Sequence, residues 1–332
     1  MKAFVLHGPG RYGIEHDWPT PEPRPGWARI RVRFAGICGS DLPRFAETGS
    51  YRHPMILGHE FAGIVDEPAP DSSRFRGGEA VAVLPLIACG ECPGCRLGEP
   101  FHCVRYQFLG SRNDGGFAEY CLVPEDNLFV LPPELDLRVG AFIEPIAVAL
   151  HVLRRSGFQP GGSALVFGAG AIGLLAALWL RVFGAARVSV ADIRPESLEL
   201  ARRLGFTEAF EPPAFQDAYD AVFEAAGSGQ ALLAAVERAR DKASITVVGR
   251  DTSDTHLPLA VFERFMRKEL SLHGCWGYNL RGEEAFVYAA LARGAFPVKP
   301  MITHEVELEE APRLIAGMIR REFYYCKALL RI

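Results

Sequence analysis

The stretch Ala164-Leu165-Val166-Phe167-Gly168-Ala169-Gly170-Ala171-Ile172-Gly173 decides how this chain folds. Four apolar residues in a row read as a buried strand. Glycines then hold the first, third and sixth places of a six-residue turn, and apolar residues follow with helical recurrence. A strand running through such a turn into a helix is the context in which the glycine pattern binds a dinucleotide. Gly168 permits the tight turn, Gly170 lets the backbone approach a pyrophosphate, and Gly173 lets helix and strand pack closely. The anion then lies at the helix N-terminus, where unpaired N–H groups and the helix dipole favour it. A second strand, Val188–Ala191, ends at Asp192, 19 residues past Gly173. A carboxylate there binds ribose hydroxyls and repels a 2′-phosphate, although Arg194 close by pulls the other way. The candidate cofactor residues are Gly168, Gly170, Ile172, Gly173, Asp192 and Arg194, and NAD is expected rather than NADP.

Outward from that turn, strands alternate with helices. One helix is expected over Ala171–Phe183 and another over Pro195–Leu204, whose first turn carries Pro195 and Glu196. Ala221–Ala225 and Ile245–Val248 read as strands flanking a helix near Gln230–Ala239, and Leu270–Gly274 as the last of six strands. Glu211–Asp220 is short for a crossover, so one helix is expected to be missing there. The pattern predicts a doubly wound parallel sheet over residues 151–295, an α/β Rossmann fold. The uncharged run Gly157–Leu180 invites a membrane reading. Gly161, Gly162, Gly168, Gly170 and Gly173 break its first half into strand and turn, so no membrane span is expected. The first residues lack the long apolar core of a signal peptide, and a cytoplasmic enzyme is expected.

The first half has another rhythm. Ala28–Arg33 alternates apolar and basic residues, as a half-buried strand does. Pro19–Gly26 carries four prolines and reads as an extended loop. Phe61–Val65 and Ala80–Leu84 are further strands, and an irregular β-barrel or sandwich is expected. After about Phe296 the pattern is mixed again, with a helix over Glu309–Arg321 and a final strand over Ala328–Ile332.

The 332 residues carry 36 Lys and Arg against 40 Asp and Glu, a formal net charge of -4 that argues against a nucleic-acid surface. Eight cysteines in such a chain point to metal rather than disulfides. Cys89, Cys92, Cys95 and Cys103 follow the spacing C-x2-C-x2-C-x7-C, with Gly90, Pro93, Gly94 and Gly98 among them. Four thiolates with no open position describe a structural zinc site. The rivals are an iron–sulfur cluster, which uses tighter spacings, or unligated core cysteines. A second set is dispersed: Cys38 in Gly36-Ile37-Cys38-Gly39-Ser40-Asp41, His59 in Gly58-His59-Glu60, and Glu144 in Phe142-Ile143-Glu144-Pro145. Spacing alone gives this trio little weight. Beside a nicotinamide-type domain it gains meaning, because a catalytic zinc takes few protein ligands and keeps a vacancy.

Together these motifs resemble the zinc-containing medium-chain dehydrogenases along essentially the whole chain. The matching stretches include Cys38-Gly39-Ser40-Asp41, Gly58-His59-Glu60, the four-cysteine lobe, Asp114-Gly115-Gly116-Phe117-Ala118-Glu119-Tyr120 and Glu144-Pro145. Within the family the chain is most similar to the polyol branch of sorbitol, butanediol and threonine dehydrogenases. Gly110-Ser111-Arg112 and Cys38 through Arg44 match galactitol-1-phosphate 5-dehydrogenases best. The resemblance implies a GroES-like catalytic domain split between residues 1–150 and 296–332, with the Rossmann domain inserted. It implies two zinc ions per chain, the catalytic one held by Cys38, His59 and Glu144, with Glu60 an alternative or supporting ligand. It implies that Ser40 hydrogen-bonds the substrate oxygen and starts the proton relay. Hydride would pass from a secondary alcohol of a polyol or sugar-alcohol phosphate to NAD, in a homodimer or homotetramer. An amino alcohol such as threonine, or butanediol, is the alternative substrate, and a non-catalytic NAD sensor is the alternative role.

The chain departs from many relatives in two places. Leu42, Pro43 and Arg44 stand where a relay histidine is common, so the relay must end in water or another group. Cys326-Lys327 replaces the frequent Gly-Lys before the last strand, with no functional meaning attached. His151 is a candidate neighbour of the nicotinamide or a packed core histidine. Cys121, Cys275 and Cys326 read as small buried hydrophobes. Trp276-Gly277-Tyr278-Asn279 is a candidate lining for cofactor or subunit. If the substrate carries a phosphate, Arg44, Arg52 and Arg112 are the loop cations able to meet it.

Overall fold

The computed structural model describes residues 1–212, 217–250, 254–280 and 282–332. It divides into two compact units, Met1–Glu144 with Ile302–Ile332, and Pro145–Met301. The division falls inside one helix, Ile143–Ser156.

The second unit is the doubly wound domain. Six parallel strands lie in the order Ala209–Phe210, Arg187–Ala191, Ser163–Phe167, Tyr219–Glu224, Ala239–Val247, Ser271–Gly274. The order reverses beside Ser163–Phe167, and that strand leads into the glycine turn and the helix Ala171–Val182. All five residues of Ser163–Phe167 are buried, as a strand covered on both faces requires. The uncharged run thus divides into turn, strand and helix. No described helix is long and apolar enough to cross a membrane.

Three details differ from the sequence reading. The strand missing from it is Ala209–Phe210, too short to leave a pattern. The segment read as an incomplete crossover follows this strand, and its residues 213–216 lie outside the described ones. The strand expected at Ile245–Val248 begins at Ala239, because Lys242 takes a left-handed backbone (φ 62°) and lets the chain bend without leaving the sheet. A further helix, Leu259–Arg267, leads to the last strand.

The first unit is built on a seven-stranded sheet. Its path runs Leu128–Val130, Ala80–Val83, Glu60–Glu67, Trp27–Ile37, Lys327–Arg331, Ile302–Glu307, and Tyr120–Pro124 pairs with the first half of Trp27–Ile37. A three-stranded sheet of Arg11–Glu15, Ala3–Gly8 and Met55–Ile56 lies apart from it. Trp27–Ile37 alternates buried and exposed residues up to Arg33, then turns fully apolar. That change marks where the last strand pairs with it: Ala328 faces Ile37 and Arg331 faces Phe34. The final segment therefore returns to the first sheet, between Trp27–Ile37 and the edge strand Ile302–Glu307. Phe4, Phe45, Phe61 and Phe117 fill the core beside it, with Leu314, Ile315 and Met318 from the helix Ala311–Arg320. That helix starts two residues later than the apolar period suggests, because Leu308–Glu310 forms a separate 3₁₀ turn closed by a Glu307–Glu310 capping box.

Candidate active site

Three neighbouring strands of the large sheet end together on one side. Trp27–Ile37 runs directly into Cys38, His59 precedes Glu60–Glu67, and Lys327 opens Lys327–Arg331. Gly36 faces Glu60 and Ile37 faces Ala328, so register alone brings Cys38, Glu60 and Lys327 side by side. Gly36 makes the room: a Cβ there would stand 2.4 Å from Glu60 Oε2. The ligand atoms of Cys38, His59 and Glu60 all lie within 4.8 Å of one another.

Hydrogen bonds fix each group. The turn Cys38–Asp41 closes through Asp41 N–H donating to Cys38 O at 3.0 Å. Asp41, wholly buried, accepts from Cys38 N–H through Oδ2 at 3.0 Å. Its Oδ1 has no hydrogen-bond partner among the described residues and stands 3.4 Å from His59 Nδ1. A carboxylate on Nδ1 leaves Nε2 as the ligating nitrogen, the usual arrangement behind a metal-bound imidazole. Ser40, exposed, donates from N and Oγ to Cys38 Sγ at 3.5 and 3.3 Å. The Phe108 ring lies 5.7 Å from the imidazole and screens it.

The charges converge on one missing partner. Lys327 Nζ donates to both oxygens of Glu60, at 2.8 and 2.6 Å, and both side chains are buried. Burial works against the Lys327 ammonium, but Glu60 and then Cys38 hold its pKa above the ordinary lysine value. Burial also opposes a charged His59, yet Asp41 and Cys38 keep its pKa well above the imidazole range. Glu144, buried in the first turn of Ile143–Ser156, is pushed up to about 7 by desolvation, with Glu60 adding to the rise and His59 and Lys327 opposing it. A pocket of sulfur, imidazole and closely set buried carboxylates, in which Asp41 and Cys38 favour positive charge at His59, is one that a divalent cation satisfies. The donor set fits zinc.

The cysteine lobe fits a second ion. The four sulfurs lie within 4.8 Å of one another and none is in a disulfide. Cys92 and Cys95 sulfurs are 3.5 Å apart, and those of Cys89 and Cys95 3.9 Å. A tetrahedron with Zn–S near 2.3 Å has edges of about 3.8 Å, whereas a disulfide would need about 2 Å. Backbone N–H groups of Glu91 and Cys92 draw the Cys89 thiol down to about 6, and those of Cys95 and Val104 lower Cys92. Burial and the neighbouring sulfurs push Cys95 up to about 11. Such crowding of sulfur is relieved by a shared cation.

In the second unit the glycine turn has the shape a pyrophosphate needs. Gly168 sits at φ +94° and a Cβ there would meet Ala226 N at 2.6 Å. At Gly173 a Cβ would collide with Gly168 O at 1.9 Å, so only glycine lets the helix come this close. At Gly170 a Cβ meets nothing within 4 Å, which leaves the approach open. Among the described residues no side chain caps the helix Ala171–Val182, so its first N–H groups, including that of Ile172, are left for an anion. Asp192 stands beside this turn, accepting from Ala169 N–H at 2.7 Å and Arg194 N–H at 2.8 Å. Arg194 is exposed at the start of Pro195–Arg203.

The structure thus brings Cys38, Ser40, His59 and Glu60 into one site, with Glu144 felt electrostatically beside them, and gathers the four cysteines of the lobe into another. Asp41 and Lys327 join the first site without having been singled out by sequence. Asp41 lies inside a quoted motif, but its role depends on a turn. Lys327 is 267 residues from Glu60; the sequence shows it only as the lysine of Cys326-Lys327 before the last strand, with no function attached to it. His151 is half-buried in Ile143–Ser156. Cys121 and Cys326 are buried as expected and Cys275 is partly exposed. Trp276 is exposed while Tyr278 is buried.

Comparison with known proteins adds a lineage to this geometry. Residues 24–133 match the alcohol dehydrogenase GroES-like domain, and residues 171–293 match the zinc-binding dehydrogenase domain. Galactitol 1-phosphate 5-dehydrogenase of Escherichia coli K12 is 36% identical over 307 residues, covering 88% of this chain and 89% of that one. The crystal structure of galactitol-1-phosphate dehydrogenase from Escherichia coli superposes with a TM-score of 0.93 at 32% identity, covering all of both chains. A zinc-binding dehydrogenase from Sinorhizobium meliloti 1021 bound to NADP gives 0.91 at 28% identity, over 100% and 99% of the two chains. An alcohol dehydrogenase from Escherichia coli CFT073 complexed with NADH gives 0.90 at 29%, over 100% and 99%.

Proposed function

The chain belongs to the zinc-binding alcohol dehydrogenases, enzymes of the medium-chain type, and on that premise we propose that it reversibly oxidises a secondary alcohol of a polyol or polyol phosphate with NAD. The observation that carries this reading is the convergence of Cys38, His59 and Glu60 where neighbouring strands of the large sheet end, with buried Glu144 and Lys327 of the same unit. The family resemblance assigns the ion to Cys38, His59 and Glu144, with Glu60, which clusters with Cys38 and His59, as the alternative. The pairing of Lys327 with Glu60 supports giving Glu60 the supporting role. Zinc there would supply the Lewis acidity that makes an alcohol hydroxyl acidic at neutral pH, and NAD the hydride acceptor.

The chain's own residues do the rest. Ser40 Oγ, exposed beside Cys38, hydrogen-bonds the substrate oxygen and takes the first proton. Leu42 and Pro43 offer no further carrier, so the proton leaves Ser40 for water. Asp41 holds His59 in the ligating tautomer. Asp192 receives the adenosine ribose and favours NAD over NADP. The cysteine lobe holds the second zinc and performs no chemistry. A polyol phosphate is supported by the relative that acts on galactitol 1-phosphate.

Metal analysis with an NAD-coupled substrate screen tests the proposal. Two zinc ions per chain are expected, falling to one in Cys38→Ala with the thermal transition retained. One zinc in the unmodified protein would favour a non-catalytic sensor. The screen spans polyols, polyol phosphates and amino alcohols; oxidation of threonine with no polyol turned over would overturn the substrate class.

A further inference from the structure

Two guanidinium groups near the candidate active site have no carboxylate partner among the described residues. Arg112 stacks on Tyr51, with Cζ 4.0 Å from the ring centre, and on Tyr106 at 4.4 Å. Its Nη2 donates to Tyr106 Oη at 3.3 Å, and its buried Nε has no hydrogen-bond partner among the described residues. Arg44 Cζ stands 5.6 Å from the same Tyr51 ring. Neither Arg44 nor Arg112 has a carboxylate within ion-pair distance among the described residues. Arg52, the third cation of these loops, is different: its Nη2 pairs with Asp114 Oδ1 at 2.9 Å, so its charge is already answered.

The pair belongs to the surroundings of the metal ligands. Arg44 lies three residues past Asp41, in the turn that continues from the Cys38–Asp41 segment. Arg112 N–H donates to the carbonyl of Phe108 at 2.9 Å, and the Phe108 ring is the one against His59. The two loops that carry the arginines are clamped together. Ser50 Oγ donates to Ser111 O at 2.7 Å, and Asp114 accepts from Ile56 N–H at 3.0 Å as well as from Arg52. Two fixed, unanswered positive charges with a tyrosine ring between their loops, one carrying an unmet donor, describe a receptor for a dianion.

We propose that Arg112 and Arg44, gathered on Tyr51, bind the phosphate of a phosphorylated polyol and make this enzyme prefer it to the neutral polyol. The inference rests on the polyol dehydrogenase reading above and assigns its specificity. Two guanidinium charges match a phosphate monoester dianion better than a carboxylate, so sugar acids should be poorer substrates.

The test uses the zinc-loaded enzyme with NAD, and compares kcat/KM for galactitol 1-phosphate, galactitol and a sugar acid in the unmodified protein, Arg112→Gln, Arg44→Gln and the double variant. The ratio of kcat/KM for galactitol 1-phosphate to that for galactitol should exceed one. It should fall about 10- to 100-fold in Arg112→Gln, mostly through KM, the scale of a lost charge-assisted hydrogen bond. Arg44→Gln should lower it less, and the double variant most. Inorganic phosphate should inhibit competitively against galactitol in the unmodified protein and not in the double variant. Arg112 also staples two loops, and loss of that role alone would depress both substrates together and leave the ratio unchanged; that result overturns the inference. A higher kcat/KM for galactitol or the sugar acid than for the phosphate overturns it too, while the dehydrogenase reading stands. Oxidation of none of the three removes both.

Discussion

At the scale of single residues, Lys327 bears the largest energetic consequence. It is the only cation hydrogen-bonded to Glu60 among the described residues, and both are buried. Removing one member of a buried pair strands the other charge, at a cost of roughly 3–5 kcal/mol. Lys327→Met should therefore lower the denaturation midpoint strongly, and adding Glu60→Gln should recover much of the loss. A Lys327→Met protein as stable as the unmodified one would show that the pair is not the balance argued above. Asp192 offers a second test. Its two oxygens are aligned by Ala169 and Arg194 N–H groups, which hold the carboxylate facing the cofactor turn. Asp192→Ala should weaken NAD about tenfold and narrow its advantage over NADP; unchanged kinetics for both would defeat the assignment. These residues also show what sequence reveals. Cys38, His59 and Asp192 are legible because each sits in a short motif whose neighbours are fixed by local chain geometry. Lys327 is illegible because its meaning depends on a register set by strands far apart in the chain, and a lone lysine before an apolar strand looks like an edge residue.

At the scale of elements, the glycine turn separates two roles that sequence merges. Gly170 and Gly173 stand three residues apart in one motif, yet their surroundings are opposite. Around Gly170 a new Cβ meets nothing, whereas at Gly173 it meets a backbone carbonyl that cannot give way. Gly170→Ala should leave the thermal transition nearly unchanged and raise KM for NAD, because the methyl enters space meant for the pyrophosphate. Gly173→Ala should destabilise the second unit itself by pushing the helix Ala171–Val182 off its strand. Calorimetry beside cofactor titration distinguishes the two, and equal loss of stability in both variants would refute the division. The elements themselves were mostly readable. Buried parallel strands are apolar runs and crossover helices repeat every three to four residues, so Ser163–Phe167 and Ala171–Val182 announce themselves. Ala209–Phe210 did not, since two residues carry no period. Glu60 opening its strand was also missed by one position, and that position is the one that enters the site.

At the scale of the whole molecule, the first unit is made from two segments that meet only after the rest of the chain intervenes. Lys327–Arg331 lies in the large sheet between Trp27–Ile37 and the edge strand Ile302–Glu307, so the site's lysine comes from the second segment and its cysteine, histidine and glutamates from the first. Arg138 and Glu305, 167 residues apart, help fasten the segments through a two-pronged ion pair at 2.7 and 2.8 Å. The Arg138 guanidinium lowers the Glu305 pKa, against a smaller opposing effect of burial. Glu305 thus titrates lower in the folded chain than in the unfolded one. Its contribution is fully present above about pH 4.5 and is lost as the pH falls through the folded value. Both side chains are partly exposed, 32% and 25%, so solvent screening limits the pair to about 1 kcal/mol. Glu305→Gln should lower the stability of the first unit by that amount at pH 7 and by progressively less as the solution is acidified below pH 4.5. Denaturant midpoints for the two proteins from pH 7 down to pH 3.5 provide the check. A difference that stays constant across that range would mean the glutamate acts by packing and not by charge, and that the two segments are held by the sheet alone.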